Sequence, residues 1–459
     1  MQEFRDSPRR YPQKRAPETR LKDYNEIYDA FDVETATTQA KRCVQCGDPQ
    51  CLFACPLHNC IPFWLRNIAA HDWDTAFQLS NETNPFPEIT GRICPQDRLC
   101  EGACILKDEY GAVSIGTIEQ FVTEEGFKHG AQLPVAETMT DKRVAVIGSG
   151  PTGISVATFL LRAGIQVDMY ERQAHPGGLL TFGIPNFKLE KKVVFNRFEL
   201  LKKAGLKLFL NTELGKDLLY EKLGQEYDAI FLGIGAEQSR AAHIHGELAE
   251  NSFKAIDFLR NMQLKIFTES FDTTYNVTGK DVIVIGGGDT AMDCIRTSLR
   301  EKAASVRCLY RRDSANMPGS KKEFQNAMEE GAEFLFNASP KKLVDKGNRA
   351  TGIIAEKTIL TEKDASGRQS VKIIEGSDFT LDADVFIFAL GFFPKSPEFL
   401  QAYGIETDDR NRIVIDKNFR TTRKHVWAGG DISRGADLVV TAAADGREAA
   451  RDIIATLLP

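Results

Sequence analysis

One pattern of hydrophobic and polar positions occurs twice in the chain: an apolar run, a glycine-rich turn and an amphipathic stretch. The two copies are "RVAVIGSGPTGISVATFLLRAG" (143–164) and "DVIVIGGGDTAMDCIRTSL" (281–299). Each predicts a buried strand, a tight turn and a helix. The apolar runs "YDAIFLGIGA" (227–236) and "DADVFIFALGFFP" (382–394) predict two further buried strands, each ending in a turn of small residues. The pattern therefore predicts two α/β units of similar design.

The first glycine turn has the spacing of a dinucleotide-binding fingerprint, Gly148-x-Gly150-x-x-Gly153. Such glycines allow backbone N–H groups to approach a pyrophosphate at the helix N-terminus. The next predicted strand, "QVDMYE", ends in Glu171, where an acidic side chain can accept hydrogen bonds from a ribose 2′-OH. The alternative is a chance glycine pattern, but the strand before it and the helix after it favour a site for FAD or NAD.

The second glycine turn, Gly286-x-Gly288-x-x-Ala291, is followed by a strand that ends differently. The segment "SVRCLYRRD" ends in Arg311 and Arg312 instead of an acid. Guanidinium groups bind phosphate bidentately, and a basic residue at this position accommodates the 2′-phosphate of NADP. The alternative is a pair of solvated surface arginines. We interpret the first site as an FAD site and the second as an NADPH site.

The C-terminal segment "VWAGGDISRGADLVVTAAADGREAA" (426–450) resembles the closing motif of an FAD-binding module. There Asp431 would reach the ribityl chain or the pyrophosphate, and a helix from about Leu438 would direct its positive end at the flavin. We therefore predict an FAD-binding domain at 140–254 and 390–459, interrupted by an NADPH-binding domain at 255–389. Residues 1–135 would form a separate, mostly α-helical domain. The predicted fold class is α/β, with two nested Rossmann-like dinucleotide-binding modules.

Composition narrows the function without deciding it. The 459 residues are 42% hydrophobic and 27% charged, with a net charge of −6, as in an ordinary soluble protein. This balance argues against a nucleic-acid-binding or anionic-membrane-binding surface. The N-terminal sequence has no apolar signal core, and no apolar stretch is long enough to span a bilayer. We therefore expect a cytoplasmic protein with no nucleic-acid or membrane partner.

Seven of the ten cysteines form two clusters, in "CVQCGDPQCLFACP" and "ICPQDRLCEGAC". The spacing differs from that of a zinc ribbon, which has two short CxxC pairs far apart. Several thiolates in one tight loop followed by Cys-Pro are typical of iron–sulfur ligation. Zinc binding, a single cluster with spare cysteines, and disulfides remain alternatives. The clustered cysteines are Cys43, Cys46, Cys51, Cys55, Cys94, Cys100 and Cys104.

The motifs together resemble one family over nearly the whole chain. The cysteine series, "VAVIGSGPTGISVA", "ERQAHPGGLLTFGIPNFKL", "GGGDTAMDC", "YRRDSANMPGSKKE" and "WAGGDISRGADLVVTAAADGR" are similar to the small (β) subunit of NADPH-dependent glutamate synthase. They also resemble the N-terminal half of dihydropyrimidine dehydrogenase and the NADPH subunit of electron-bifurcating transhydrogenases. In this family the order and spacing of the motifs are the same.

The resemblance implies two [4Fe-4S] clusters and a set of ligands for each. The first ligand group would be Cys43, Cys46, Cys51 and Cys104. The second ligand group would be Cys55, Cys94, Cys100 and the carboxylate of Glu119, which lies on a helix after the last cysteine. Without the resemblance, Glu119 would be read as a solvated helix residue. Cys60 is expected to be a small buried residue near the site, and Cys294 a packing residue.

The resemblance also implies the remaining cofactor contacts and the direction of electron flow. Electrons would pass from NADPH to FAD, to the clusters and then to an external acceptor, with no side-chain acid–base catalyst. The segment "GGLLTFGIP" (177–185) would lie along the flavin, and Lys188 is a candidate for contact with flavin or phosphate. The other predicted cofactor-binding residues are Ser149, Arg172, Gly178, Leu179, Gly287, Asp289, Thr290, Gly391 and Gly430.

The implied partner is a large (α) glutamate synthase subunit, because no amidotransferase cysteine and no third module are visible in this chain. A relative with another acceptor is the alternative: a bifurcating complex, a pyrimidine reductase or a stand-alone diaphorase. A thioredoxin-reductase-like disulfide reductase would need a CxxC beside the flavin. The only CxxC, Cys43 to Cys46, lies far upstream. A non-enzymatic binding module would leave two dinucleotide sites idle.

Overall fold

A computed structural model of the chain describes residues 1–268, 270–363 and 369–459. The predicted fold class is confirmed. A helical N-terminal part precedes two five-stranded parallel sheets, each flanked by helices. None of the helices in these described ranges is long and apolar enough to cross a membrane.

Residues 1–135, here called the cysteine module, contain helices and turns but no described strand longer than a single bridge. In the helix Ile61–Ala69, the residues Ile61, Leu65 and Ile68 recur at helical spacing and are buried. The module also has a short 3₁₀ turn, Gln96–Arg98. Its helices are α1 (Pro17–Arg20), α2 (Val33–Lys41), α3 (Gln50–Phe53), α4 (Ile61–Ala69), α5 (Trp73–Thr83), α6 (Pro87–Ile93) and α7 (Ile115–Lys128).

The first parallel sheet begins at the first fingerprint. Its strands read as continuous apolar runs because helices cover both faces of the sheet. The strand order is Val426–Ala428, β4, β1, β2, β3, all parallel. The elements are β1 (Arg143–Ile147), α8 (Pro151–Arg162), β2 (Gln166–Tyr170), α9 (Leu179–Phe182), α10 (Lys191–Lys203), β3 (Lys207–Phe209), α11 (Tyr220–Glu226) and β4 (Ala229–Leu232).

The second parallel sheet has the order β6, Val385–Phe388, β7, β8, β9. Its edge strand begins at Ser252, inside the segment predicted for the first domain. We therefore propose to place that boundary near residue 240. The elements are β5 (Gln238–Ser239), β6 (Ser252–Lys254), α12 (Ala255–Thr268), a 3₁₀ turn (Thr273–Tyr275), β7 (Asp281–Ile285), α13 (Asp289–Arg300), β8 (Ser305–Tyr310), α14 (Lys321–Glu329) and β9 (Glu333–Phe336).

An antiparallel sheet follows β9, and the sequence analysis did not predict it. Its long strand pairs with β10 and β13 at one end and with β12 at the other. Leu343 and Ile353 from this sheet pack against Ile283 and Phe386 of the second parallel sheet. The elements are β10 (Ala338–Lys346), β11 (Arg349–Lys363), β12 (Gln369–Ile373), β13 (Phe379–Asp382) and the parallel strand β14 (Val385–Phe388).

The chain then returns to the first sheet through a two-stranded ribbon. The strand Phe392–Phe393 pairs antiparallel with β5, so both connections between the two parallel sheets run side by side. The final helix packs against α8 beside the first fingerprint. These last elements are β15 (Phe392–Phe393), α15 (Phe399–Ala402), β16 (Val426–Ala428), α16 (Asp431–Arg434) and α17 (Val439–Leu457).

Residues 14–28, here called the N-terminal strap, leave the cysteine module and pack on the second α/β unit. Arg20 is fully buried, and its Nε lies 2.8 Å from a carboxylate oxygen of Glu330 at the end of α14. The hydroxyl of Tyr24 donates a hydrogen bond to Glu301 at the end of α13. The strap therefore connects the cysteine module to the unit that carries the second fingerprint.

Candidate functional site

A cavity of about 210 Å³ lies at the carboxyl ends of β1 and β2. This is where open parallel sheets bind ligands. Nine of the residues predicted for the first nucleotide site line it. They are Gly148, Ser149, Gly150, Glu171, Arg172, Gly178, Leu179, Asp431 and Leu438.

The fingerprint glycines are required by close backbone approaches. Gly148 has φ +98°, and a Cβ there would lie 2.4 Å from the carbonyl oxygen of Gly233. A Cβ on Gly153 would lie 2.1 Å from the carbonyl oxygen of Gly148. Gly153 does not line the cavity, and its role is to let α8 approach β1. The turn thus exposes backbone N–H groups at the start of α8, as a pyrophosphate needs.

The carboxylate of Glu171 is buried and fixed at the end of β2. It accepts hydrogen bonds from the backbone N–H (3.1 Å) and the hydroxyl (2.5 Å) of Ser149, and from the N–H of Gln173 at 2.9 Å. The glycine turn and the acidic residue are therefore held together before any ligand binds. The hydroxyl of Ser149 also accepts a hydrogen bond from Gly177, which anchors the loop that precedes Gly178 and Leu179.

The C-terminal segment closes the other side of the cavity. Gly430 has φ +73°, and a Cβ there would lie 2.1 Å from the Thr152 hydroxyl. Burial raises the pKa of the next residue, Asp431, to about 7. The helix α17 begins at Val439, with Leu438 as its N-cap, and both residues line the cavity. The positive end of this helix therefore points into the cavity.

The second fingerprint is equally constrained. Gly286 has φ +143°, and a Cβ there would lie 2.3 Å from the carbonyl oxygen of Ala389. A Cβ on Gly287 would contact the Tyr310 ring at 2.5 Å, whereas one on Gly288 would meet no atom within 4 Å. Asp289 and Thr290 form the first turn of α13. This open N-terminus at the carboxyl end of β7 has the form of a phosphate site.

Arg311 and Arg312 directly follow β8, the strand beside the fingerprint strand. Arg311 is exposed and Arg312 is partly buried. The Nε of Arg312 is buried and has no hydrogen-bond partner among the described residues. An uncompensated guanidinium nitrogen of this kind fits an anionic ligand better than a solvated surface arginine does.

Two predicted residues lie elsewhere. The Nζ of Lys188 is 2.8 Å from the Asp293 carboxylate and 4.0 Å from Glu323, and Lys188 does not line the first cavity. Its contact is with α13, so it ties the first α/β unit to the second. Gly391 lies in the ribbon between the sheets, where its carbonyl oxygen accepts a hydrogen bond from Arg240 at 3.0 Å. Neither residue lines the first cavity.

The first ligand group lines a single cavity in the cysteine module, together with apolar side chains such as Leu65 and Ile115. Burial and the neighbouring thiol of Cys43 raise the pKa of Cys51 to about 12. Thiols that disfavour each other's ionisation in a buried pocket require a cationic centre before they can become thiolates together. This donor set fits an iron–sulfur cluster.

The second ligand group includes thiols that are largely buried and lie beside a carboxylate. Burial, followed by the charge of Glu119, raises the pKa of Cys94, and Cys55 lies close to both. Desolvation and the charge of Glu101 raise the pKa of Cys100, and Cys55 and Glu119 of the same group contribute to the shift. Among the described ranges 1–268, 270–363 and 369–459, no three His, Cys, Asp or Glu side chains meet closely enough to share a single metal ion.

Glu119 is only 9% exposed, so it is not the solvated helix residue that the sequence alone suggested. Its carboxylate accepts hydrogen bonds from Asn59 at 2.8 Å, Asn84 at 3.2 Å and Thr90 at 3.2 Å. Burial raises its pKa to about 7, and these hydrogen bonds offset part of that shift. A buried carboxylate with neutral partners fits the role of a ligand to a cationic centre.

Comparison with known proteins assigns the family. A profile described as pyridine nucleotide-disulphide oxidoreductase matches residues 142–446, and one described as dihydropyrimidine dehydrogenase domain II, 4Fe-4S cluster, matches residues 20–131. The glutamate synthase [NADPH] small chain of Escherichia coli K12 is 44% identical over 98% of this chain and 98% of its own length. The chain belongs to this glutamate synthase small-chain family. It therefore joins a 4Fe-4S domain to a pyridine nucleotide oxidoreductase domain.

Other relatives of this glutamate synthase small-chain family member include a second small chain and a putative oxidoreductase. The small chain from Azospirillum brasilense is 41% identical over 98% of this chain and 95% of its own length. The putative oxidoreductase AegA of E. coli K12 is 46% identical over 96% of this chain but 69% of its own length. Mycobacterium tuberculosis FprA in complex with NADPH shares the fold, with a TM-score of 0.59 and 20% identity over 69% of this chain and 85% of its own.

Four residues of this family member's site were not predicted from the sequence. Asn59, Asn84 and Thr90 hold Glu119 in place, and Arg447 of α17 donates a hydrogen bond to the carbonyl oxygen of Leu57 at 2.6 Å. No spacing signal identifies such contacts, because they join residues far apart in the chain. The predictions for Cys294 and Cys60 have different outcomes. Cys294 is fully buried, as expected of a packing residue, but Cys60 is partly exposed at the start of α4.

Proposed function

We propose that this protein is the cytoplasmic, NADPH-oxidising electron-input subunit of a glutamate synthase. It delivers electrons from NADPH, by way of FAD and two [4Fe-4S] clusters, to a large partner subunit that makes glutamate from glutamine and 2-oxoglutarate. The observation that carries the proposal is the similarity to a glutamate synthase small chain over 98% of both chains. The order of electron transfer is supported by the second ligand group, whose cysteines contact both the core of the first sheet and the core of the cysteine module.

Packing supports this order. Cys55 and Cys94 pack against the hydrophobic core of the first sheet, which also contains Val146 and Ile154 beside the first fingerprint. Cys43 and Cys104 belong to a different core, formed by α2, α4 and α7. Cys55 contacts both cores, and Cys100 packs against the second core only. The second ligand group therefore adjoins the flavin domain, and the first ligand group lies farther out.

The surface beside the first ligand group supports an exit for electrons there. Phe53, Phe63 and Ile105 are 56%, 47% and 61% exposed, and each lies within two residues of Cys51, Pro62 or Cys104. Exposed large apolar side chains next to a cofactor are typical of a protein–protein contact. We propose that the large subunit docks over this part of the cysteine module.

The residues that would hold each group follow from the geometry. The first cavity, from Gly148 to Leu438, would hold FAD, the second fingerprint with Arg311 and Arg312 would hold NADPH, and the two ligand groups would hold one [4Fe-4S] cluster each. When bound, the flavin accepts a hydride and releases single electrons, and the clusters conduct them. The protein contributes position and electrostatics, and no side chain is needed as a titrating nucleophile.

Arg447 and α17 provide the rigid connection between the flavin site and the second ligand group. One end of α17 lines the first cavity, and Arg447, in the same helix, donates hydrogen bonds to the carbonyl oxygens of Leu57 and Thr83 in the cysteine module. Leu57 is two residues beyond Cys55. The same helix thus sets the position of both sites, which fixes the distance that electrons must cross.

A second candidate keeps the same electron path but has another acceptor. The observation that favours it is the relative AegA, a putative oxidoreductase in which the matched region is only 69% of the chain. Input modules of this design therefore occur in proteins other than glutamate synthase small chains. The two candidates differ in what receives the electrons and share every residue of the input site.

The test is anaerobic affinity capture of the protein from its own cytoplasm, followed by an assay of NADPH-dependent glutamate formation from glutamine and 2-oxoglutarate. Capture of a large flavin-containing subunit with this activity is the expected result. The Arg311→Ala/Arg312→Ala variant is the matched control, because it should capture the same subunit but lose most NADPH-driven activity. A different captured acceptor, or no glutamate formation by the captured complex, would favour the second candidate.

A further inference from the structure

Arg98 extends from the cysteine module to the second fingerprint. It lies in the loop between Cys94 and Cys100. Its Nη1 donates a hydrogen bond to the carbonyl oxygen of Pro318 at 3.1 Å, and its Nη2 is 3.8 Å from the Asp289 carboxylate. The side chain remains 46% exposed. A cation from one domain is therefore placed beside the glycine turn of another.

Asp289 is fixed at the point where a pyrophosphate would bind. It is the first residue of α13, directly after Gly288. One carboxylate oxygen accepts a hydrogen bond from the N–H of Ser320 at 2.8 Å, and the N–H of Gly319 donates to the carbonyl oxygen of Gly287 at 3.0 Å. The loop before α14 thus holds both the fingerprint and the carboxylate, and Asp289 cannot turn away without breaking this contact.

A carboxylate in this position creates an electrostatic conflict. It is favourable at the N-terminus of an empty helix, but it repels a pyrophosphate that approaches the same helix end. Two like charges a few ångströms apart near a protein surface repel strongly enough to weaken binding measurably. The Nη2 of Arg98 lies near the other carboxylate oxygen of Asp289. Its positive charge therefore offsets the negative charge of Asp289 from the side that faces solvent.

We propose that Arg98 is a nucleotide-binding residue that the cysteine module contributes to the NADPH site. It neutralises Asp289 and adds positive charge beside the pyrophosphate. This inference rests on the proposed function, because it assumes that the second fingerprint binds NADPH. Arg98 and the pair Arg311 and Arg312 then have separate roles: Arg98 serves the pyrophosphate, and the pair serves the 2′-phosphate.

The division of roles can be tested with two ligands. NADP⁺ carries both the pyrophosphate and the 2′-phosphate, whereas adenosine 2′-monophosphate carries only the latter. Dissociation constants are measured by calorimetry on the oxidised, anaerobically purified holoprotein. We expect Arg98→Ala to raise the dissociation constant of NADP⁺ about tenfold and to leave that of adenosine 2′-monophosphate within about twofold. Arg312→Ala should weaken both ligands.

Three further variants separate charge from structure. Arg98→Lys keeps the cation and should retain most NADP⁺ affinity, since the 3.8 Å contact with Asp289 depends on charge more than on a fixed fork. Asp289→Asn removes the carboxylate, so Arg98→Ala should weaken NADP⁺ binding less in that background than in the wild type, because only the direct attraction to the pyrophosphate is then lost. Arg66→Ala, an exposed arginine beside Phe63 in the same module, is the matched control and should change neither ligand.

The outcomes are distinguishable. If Arg98→Ala and Arg98→Lys both bind NADP⁺ as tightly as the wild type, the inference is wrong and the proposed function stands. Equal weakening of both ligands by Arg98→Ala would also overturn it, because that result indicates a general loss of structure. If the wild-type protein itself binds neither ligand, the proposed function fails first.

Discussion

Arg197 of α10 and Glu88 of α6 form a buried ion pair between the flavin domain and the cysteine module. The Nε of Arg197 donates a hydrogen bond to Glu88 at 2.8 Å, and a second hydrogen bond joins Nη2 to the other carboxylate oxygen. Arg197 is 0% exposed and Glu88 2%. Two residues beyond Glu88, Thr90 donates a hydrogen bond to Glu119. The Arg197–Glu88 ion pair therefore holds α6, which carries Thr90, in place beside the second ligand group.

Arg197→Met should destabilise the protein by about 3–5 kcal/mol, because it leaves the Glu88 carboxylate buried without a partner. The measurement is equilibrium urea unfolding followed by flavin fluorescence and by cluster absorbance. The double variant Arg197→Met/Glu88→Leu should recover part of the loss, since no isolated charge remains. As a control on the same helix, Lys202→Met removes an exposed pair with Glu199 and should cost about 0.5 kcal/mol or less. Equal losses for Arg197→Met and Lys202→Met would contradict the prediction.

The fold could be predicted from the sequence where the residues that form its pattern are close together in the chain. The glycines before α8 and α13 recur at a fixed spacing within one strand–turn–helix unit, so these units could be recognised from the sequence alone, although the atoms that exclude a side chain at Gly148 and Gly286 follow the distant strands β4 and β14. The antiparallel sheet of β10 to β13 could not, because it lies over one face of the second sheet and its half-exposed strands lack a clear apolar run.

Contacts between residues far apart in the chain could not be predicted from the sequence either. Arg447 and Leu57 are 390 residues apart, and Arg20 and Glu329 are 309 residues apart, yet each pair meets in the folded chain. A charged residue in a helix is usually solvated, and nothing in the residues around Arg20 indicates that it is fully buried. The partner of Lys188 could not be predicted for the same reason: Asp293 belongs to the other α/β unit.

Replacement of Glu119 tests the carboxylate ligand. Glu119→Ala should remove about half of the bound iron and change the EPR spectrum of the reduced protein, because the second ligand group then has only three ligand side chains. Glu119→Gln keeps an oxygen ligand but removes one negative charge. We expect this variant to retain its iron and to show a raised reduction potential.

The matched control for Glu119 is Glu125→Ala, on the exposed side of the same helix, where Glu125 pairs with Lys128. This variant should keep the iron content, the EPR spectrum and the potential of the wild type. If Glu119→Ala kept full iron content with an unchanged spectrum, Glu119 would not be a ligand.

Replacement of Arg311 and Arg312 tests the choice of nucleotide. The double alanine variant should lose roughly 100-fold of the preference for NADPH over NADH in kcat/KM, because two charge-assisted contacts with the 2′-phosphate disappear. The activity with NADH should change little. Steady-state kinetics with an artificial electron acceptor measure both values without the partner subunit.

Arg307→Ala is the control for the nucleotide preference. Arg307 lies on the same strand, β8, but its guanidinium donates a hydrogen bond to the backbone carbonyl of Asp382 instead of facing the fingerprint. The preference for NADPH should be unchanged in this variant. A double variant at Arg311 and Arg312 that still preferred NADPH as strongly as the wild type would exclude the phosphate clamp.

Low pH should detach the N-terminal strap from the second α/β unit, because protonation of Glu330 weakens its ion pair with Arg20. Burial alone would raise the pKa of this carboxyl, but hydrogen bonds from Arg300 and Arg296 lower it to about 2, and Arg20 of the strap adds a contact at 2.8 Å. A carboxyl whose pKa is lower in the folded than in the unfolded protein stabilises the fold at higher pH and loses that contribution as the pH falls. For Glu330 the loss extends from pH about 4.5 to about 2.

Peptic cleavage within residues 14–28 should therefore rise over this range. Glu330→Gln should be cleaved already at the upper end of this range. Glu333→Gln, at an exposed residue at the start of β9, is the control and should follow the wild type closely. Identical profiles for all three proteins would mean that Glu330 does not hold the strap.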